Sequence, residues 1–378
     1  MAATALSTPT PSPTRIESAR LPVFDILRAV AALLVFFYHY AGLVAPFTQG
    51  EPLLDATEWT AARIGSTGTN LLLLLSGYFL AHNLATGRFP YARFVWLRIV
   101  RIYVPYLTVL TLAILFSAFA PGYTRLPPEA LSWRHILQQT LLLPGLFPDH
   151  PFLTVTWTLS YIVAGYVTLP LVGIALRRLA WGAPVRNAVW ASLVAFILVA
   201  GLTLGTPPAR FAYIPAGYLV FELKRAEWLP HHRPGILRWA TAICLGAVLY
   251  RALLDGHLIG AGWPGLFAQF SFVATGLIAV TTIVFVAIVL QSRYPAQGQR
   301  PLARRMAAFG RTGYSFYLVH GPVVKLFSVL IFPLIARQAL PAATLWLAAP
   351  LCLACAAGAA AILYFAVEKP CRRFLLGH

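Results

Sequence analysis

RAVAALLVFFYH, residues 28–39, places ten uncharged residues between an arginine and a histidine. With its flanks, roughly 22–44, the stretch is long enough to cross a bilayer core, which takes about 20 apolar residues. In lipid every backbone polar group must be bonded inside its own segment, so such a run is read as a helix. At about 100° per residue, eleven positions bring Arg28 and His39 to nearly the same face, about 16 Å apart along the axis. An arginine at the centre of a span costs about 2.5–3.5 kcal/mol, so an ionisable residue there counts as a functional candidate. Arginine holds phosphate or carboxylate and stays charged. Histidine is the usual general base near neutral pH. Each has a plainer explanation: Arg28 snorkels to the interface, and His39 bonds between helices. Two such residues on one face favour function.

The whole chain fits a membrane reading. Of its 378 residues 59% are hydrophobic and 11% charged, with mean hydropathy +0.73. Soluble domains are nearer 45–50% apolar. Ten spans are expected, near 22–44, 61–84, 99–120, 153–176, 187–206, 208–223, 235–254, 267–290, 313–336 and 342–367. The predicted fold class is all-α, a polytopic membrane protein. Residues 1–20, uncharged at first and rich in Pro, Ser and Thr, read as a disordered cytoplasmic tail and not as a cleaved signal. Residues 21–378 read as one transmembrane domain.

Charge sets the expected orientation. With the N-terminus inside, the inner segments hold 21 Lys and Arg and the outer segments six. That bias obeys the positive-inside rule with both termini cytoplasmic. The net charge of +18 is then mostly a cytoplasmic face that meets anionic lipid head groups; no nucleic-acid motif accompanies it. The longest outer loop is expected at about 121–152. Four cysteines are too few for a disulfide framework. Cys352 and Cys355 form C-x-x-C within an apolar run, where small residues pack helices together, and Cys244 lies within another span. No His, Cys or Asp cluster has metal-ligand spacing.

Further polar residues interrupt the spans. The second carries Asn70, Ser76, Tyr78 and His82, with Gly68 and Gly77 permitting close helix approach. In RFVWLRIVRIYVPY, Arg98 and Arg101 are three apart and share a helix face, so they can clamp a phosphate. WTLS supplies Trp157 and Ser160. GYSFYLVHGPVVK supplies Tyr317, His320 and Lys325. VEKP ends the last span, with Glu368 expected as an interface charge beside an arginine.

Taken together these pieces resemble the integral-membrane acyltransferase-3 family, whose bacterial members O-acylate surface and exported polysaccharides. The matching pieces are Arg28-x10-His39; GTNLLLLLSGYFL; Arg98-x-x-Arg101 with Pro105 and Tyr106; WTLS at 157–160; GYSFYLVHGPV at 313–323; and VEKP at 367–370. The resemblance implies a transferase in the bacterial inner membrane. It moves an acyl group, as a rule acetyl, from cytoplasmic acyl-CoA to a sugar hydroxyl of an exopolysaccharide or lipid-linked oligosaccharide. It implies that Arg28, Arg98 and Arg101 hold the acetyl-CoA, that His39 serves as general base or acyl carrier with His320 as a second catalytic imidazole, and that Asn70, Ser76, Tyr78, Trp157, Ser160 and Tyr317 support the substrates. Two positions depart from the pattern. Many relatives have an acidic residue where Asn70 stands, and a glutamate where Ile162 stands. An amide accepts a hydrogen bond but cannot balance an imidazolium by charge.

A different class also fits intramembrane polar residues. His39, His320 and Lys325 can be read as the proton relay of a transporter or glycan exporter. No internal repeat of the kind many transporters show is visible.

Overall fold

The computed structural model describes residues 22–48, 51–86, 90–119, 131–147, 151–204, 210–229, 301–338 and 341–376, with isolated positions between 235 and 286. The tail 1–20, Cys244 and most of the expected spans 235–254 and 267–290 lie outside the described residues.

The described residues are helical and contain no strand. In chain order the helices are α1 (Pro22–Val44), α2 (Pro52–Ala85), α3 (Tyr91–Phe119), α4 (Trp133–Thr140), α5 (Thr156–Arg178), α6 (Ala183–Leu204), α7 (Tyr213–Arg225), α8 (Pro301–Arg311), α9 (Gly313–Leu330), α10 (Phe332–Arg337), α11 (Ala343–Leu347), α12 (Ala349–Leu363) and α13 (Lys369–Leu376). A π-helical turn, Tyr364–Glu368, joins α12 to α13. Six stretches are long and apolar enough to cross a membrane: Val23–Phe47, Tyr91–Phe119, Thr156–Arg178, Ala183–Ala200, Gly313–Arg337 and Ala343–Leu375. The chain is a multi-pass membrane protein. The segment expected as a span at 208–223 is different: its helix α7 has 13 residues. At 1.5 Å per residue it is about 20 Å long, short of a hydrocarbon core of about 30 Å.

Side-chain contacts fix the helix directions. Phe24 of α1 meets Tyr78 and Phe79 of α2, while Gly65 and Gly68 of α2 lie against Tyr38, Leu34 and Ala31; α1 and α2 are antiparallel. Asn70 and Tyr78 of α2 face Tyr213 and Phe221 of α7, so those two are parallel. Trp190 of α6 stacks on Tyr218 of α7 with centroids 4.0 Å apart, and Arg186 faces Glu222, so α6 runs opposite to α7. The Cβ of Arg28 comes close to Gly313, Phe36 meets Phe316 and His39 meets His320. Helices α1 and α9 are therefore parallel. Tyr40 meets Trp346, while Glu368 meets Ser315, so α12 returns antiparallel to both.

α1 and α9 start at the same end of the bundle, here called proximal, and α7 and the last span both finish there.

Lipid-facing and core-facing sides separate as they should in an apolar solvent. Phe119, Phe196, Leu347 and Ile362 are largely exposed, while Ala29, Ala31, Phe36, Leu73, Leu74, Ala356 and Ala360 are buried. Glycine replaces side chain where helices touch. A Cβ on Gly77 would meet the Ile214 carbonyl oxygen at 1.8 Å, and one on Gly217 the Leu74 carbonyl oxygen at 1.9 Å. The α2–α7 crossing is a backbone-to-backbone contact built on a glycine from each side.

The expected outer loop proves to be partly core. Within it, α4 buries His135 and Gln139. The hydroxyl of Tyr106, near the middle of α3, donates to the Gln139 carbonyl at 2.7 Å. The Gln139 Oε1 accepts from the Phe152 N–H at 3.3 Å. This segment reaches into the middle of the bundle and brings Thr154 to the open side of Gly321, next to His320.

Candidate active site

Helix α1 runs unbroken from residue 22 to 44, so the eleven-residue spacing does what regular helix geometry requires. Arg28 lies beside the start of α9, and His39 lies against His320 seven residues further along it. The imidazole centroids are 5.2 Å apart and their planes make 43°. His320 is fully buried; His39 is part-exposed. The His320 ring stacks on Phe316, its Nδ1 3.1 Å from the Phe316 carbonyl oxygen. A carbonyl only accepts, so Nδ1 carries the hydrogen and a neutral His320 keeps a bare Nε2 lone pair. That Nε2 is buried with no hydrogen-bond partner among the described residues.

At the proximal end the arginines converge on the start of α9. The Arg28 guanidinium is held by Asp25, Nη1 to Oδ1 at 2.6 Å, and sits 4.6 Å over the Phe79 ring. Asp25 is buried because α8 lies on it: a Cβ on Gly310 would strike the Asp25 carbonyl oxygen at 1.7 Å. On the other side Tyr314 donates to the Ile102 carbonyl at 2.7 Å and faces Arg101 and Glu368. Arg98 lies over Phe94 and Tyr166, at 5.3 and 5.7 Å, and beside Arg101 and Arg372. Three arginines, two of them the R-x-x-R pair, thus gather where α3, α9 and α13 meet.

Glu368 departs from its expected place at the interface. It is 1% exposed and accepts from the Ser315 hydroxyl at 2.7 Å. The π-helical turn carries one more residue per turn than an α-helix and brings this side chain into the core, a device often found at functional sites.

The remaining candidates divide. Tyr317 stands one turn from His320, ring centroids 5.8 Å apart, and Trp157 lies beneath Arg210. Asn70 donates to the Tyr213 hydroxyl at 3.1 Å and has no hydrogen bond to His39, so the amide does not stand in for an orienting carboxylate. Ile162 packs against the hydrophobic core. Ser76 and Ser160 use their hydroxyls on the Leu72 and Thr156 carbonyls of their own helices, the common fate of a serine inside a membrane helix. Ser160 also accepts from the Gly145 N–H at 3.2 Å, which ties the α4 segment to α5. Tyr78 lies at the proximal end near Lys224, far along α2 from the imidazoles.

Sequence reading assigned no site role to Asp25, Arg372, Arg210 or Glu222. Asp25 had a signal, since D-x-x-R is an ion-pair spacing on a helix. Glu222 of α7 is buried between Arg177 and Arg186, at 3.8 and 3.5 Å, and joins α5, α6 and α7; only the tertiary fold places those three together.

A helical membrane bundle with paired imidazoles, one of them fully buried, and with arginines at one end, defines a class of intramembrane catalyst or carrier. The comparison with known families selects within that class. The family model described as an acyltransferase domain matches residues 21–365, and the chain belongs to the acyltransferase-3 family. No curated protein and no solved structure matches it. The protein is a membrane acyltransferase.

Proposed function

We propose that the protein moves an acyl group, acetyl in the first instance, from acyl-CoA at the proximal end to a sugar hydroxyl of an exported or lipid-linked polysaccharide. The reading is carried by the His39–His320 pair, which lies about 16 Å beyond Arg28 on a face of α1 that follows α9. In this reading the protein lies in the bacterial inner membrane, with the proximal end and both termini on its cytoplasmic side. The Lys and Arg bias favours that orientation.

Arg98, Arg101 and Arg28 hold the phosphates of CoA, whose pantetheine arm carries the thioester toward the imidazoles. The acceptor hydroxyl attacks the thioester carbonyl and passes its proton to His39. The C–S bond breaks as the new C–O ester bond forms. The CoA thiolate takes up the proton and leaves as the thiol. The bare Nε2 of His320 is an acceptor for the hydrogen bond that a protonated His39 can donate. Family membership favours this chemistry over the solute relay that His39, His320 and Lys325 also suggest.

The test is transfer from radiolabelled acetyl-CoA by purified protein and by His39→Ala, with a crude lipid-linked glycan fraction as acceptor. Label entering the glycan with the wild type alone supports the reading. Equal transfer by both removes His39 as the base. Failure of folded wild type to bind CoA overturns the reading and returns the transporter to first place.

A further inference from the structure

A second polar group of residues adjoins the imidazole pair, and the donor chemistry does not use it. Tyr317 of α9 turns its hydroxyl toward Thr69 of α2, Thr158 of α5 and Arg210. Asn70 lies next to Thr69 and bonds Tyr213, one turn beyond Arg210. Thr69, Asn70, Thr158 and Tyr317 are 6%, 5%, 0% and 5% exposed. Yet Asn70 Oδ1 has no hydrogen-bond partner among the described residues. An unmet buried polar atom costs about 1–3 kcal/mol, so native structures rarely keep one without use.

Arg210 gives the group a sign. By sequence it is one of the few basic residues of the outer side, and a lone arginine there would be expected to snorkel outward. It turns inward instead. Its guanidinium lies 5.2 Å over the Trp157 ring and faces Tyr161 and Tyr317. Among the described residues no carboxylate pairs with it. A guanidinium is a planar fork of donors, which suits it to a two-oxygen acid group and less to a single hydroxyl.

We propose that Arg210, Trp157, Tyr317, Thr158, Thr69 and Asn70 form the acceptor subsite, and that the acceptor is an anionic saccharide. Its acid group pairs with Arg210. A neighbouring hydroxyl donates to Asn70 Oδ1. This sets one free hydroxyl toward the His39–His320 pair, one turn of α9 beyond Tyr317. The inference rests on the acyl-transfer reading above. The acid group belongs either to the sugar, as a carboxylate, or to a diphosphate that links the sugar to lipid.

The experiment uses the full chain in lipid nanodiscs with labelled acetyl-CoA and three acceptor probes: methyl β-glucuronide, methyl β-glucoside, and glucose on a prenyl diphosphate. Wild type, Arg210→Gln and Arg210→Lys are compared by KM for acceptor and, for probes that are not turned over, by calorimetric affinity. An anionic probe should be preferred to the glucoside by about tenfold, roughly the value of one charge-assisted pair. Arg210→Gln should remove the preference by weakening the anionic probe alone, and Arg210→Lys should restore part of it. Preference for the glucuronide assigns the acid to the sugar; preference for the diphosphate assigns it to the lipid link. Equal affinity for all three probes, or a preference that survives Arg210→Gln, overturns the subsite. A wild type that binds no acetyl-CoA overturns the transfer reading itself, whatever the sugars do.

Discussion

His39 and His320 face each other across the α1–α9 contact with ring centroids 5.2 Å apart, and they are not equivalent. His320 is locked through Nδ1 to the Phe316 carbonyl and wholly buried. His39 is part-exposed and forms no hydrogen bond among the described residues. The free ring is the one able to meet substrate, and the fixed ring stands behind it.

That asymmetry predicts unequal mutants. General-base catalysis contributes typically about 10²–10⁴-fold. His39→Ala should lower kcat by that order with little change in donor KM. His320→Gln, which can still donate to Phe316, should lower kcat less. The double variant should be no worse than His39→Ala by more than a few-fold, because residues acting as a unit are not additive. Losses that multiply in the double variant would count against a shared proton path. The same pair predicts pH dependence. Protonating both rings places like charges 5.2 Å apart and removes the base, so kcat should fall on the acid side and rise to a plateau, and His39→Ala should flatten the profile.

The arginine cluster predicts a donor phenotype. Arg98→Gln and Arg101→Gln should each weaken acetyl-CoA binding by about tenfold, the order expected of a charge-assisted phosphate contact, and added salt should weaken the wild type more than either variant. Arg98→Lys should restore little. The guanidinium of Arg98 lies over Phe94 and Tyr166, and an ammonium lacks the plane that such stacking needs. Calorimetry across a salt series reads both effects.

The outline of this site was legible in the sequence because it repeats at helical periods along single spans. Arg28 with His39, and Arg98 with Arg101, needed only the 100° rule. Gly77 was legible for a related reason, since a glycine among leucines in a membrane helix has few uses besides close packing. What failed needed knowledge of neighbours. Glu368 reads as an interface charge because it ends an apolar run, and only the π-helical turn puts it in the core. Ser76 and Ser160 look like site residues in a motif, yet their hydroxyls bond their own helices. Arg210 counts as topology until Trp157 is seen beneath it. The outer loop looked like solvent until Tyr106 bonded Gln139.

Glycine contacts predict stability. Gly77→Ala and Gly217→Ala each force a methyl into an opposing backbone carbonyl at under 2 Å. No side chain can yield there, so the helices must separate. The cost should be at least the ~1–3 kcal/mol of core overpacking. Gly358→Ala, whose Cβ would meet nothing within 4 Å, is the control and should be neutral or slightly stabilising, because alanine is the better helix former. Melting in detergent of the three variants separates these outcomes; equal melting by all three would contradict the close α2–α7 crossing.

Glu368 and Ser315 separate structure from function at the proximal end. The Ser315 hydroxyl donates to one carboxylate oxygen at 2.7 Å, and the other has no hydrogen-bond partner among the described residues. Tyr314 stands by both Glu368 and Arg101. Ser315→Ala deletes the bond and keeps the charge. It should reduce stability by about 1–3 kcal/mol, the cost of leaving a buried acceptor unmet. Glu368→Gln keeps an acceptor for Ser315 and deletes the charge. If the carboxylate sets the position of the neighbouring arginines, this variant should melt near the wild-type temperature while its KM for acetyl-CoA rises several-fold and its kcat changes little. A carboxylate that serves packing alone would show the reverse, a lower melting temperature with an unaltered donor KM. Ion pairs at a membrane face tend to be screened and weak, but Glu368 is 1% exposed, so water does little to screen its carboxylate. The donor KM is therefore the sensitive readout.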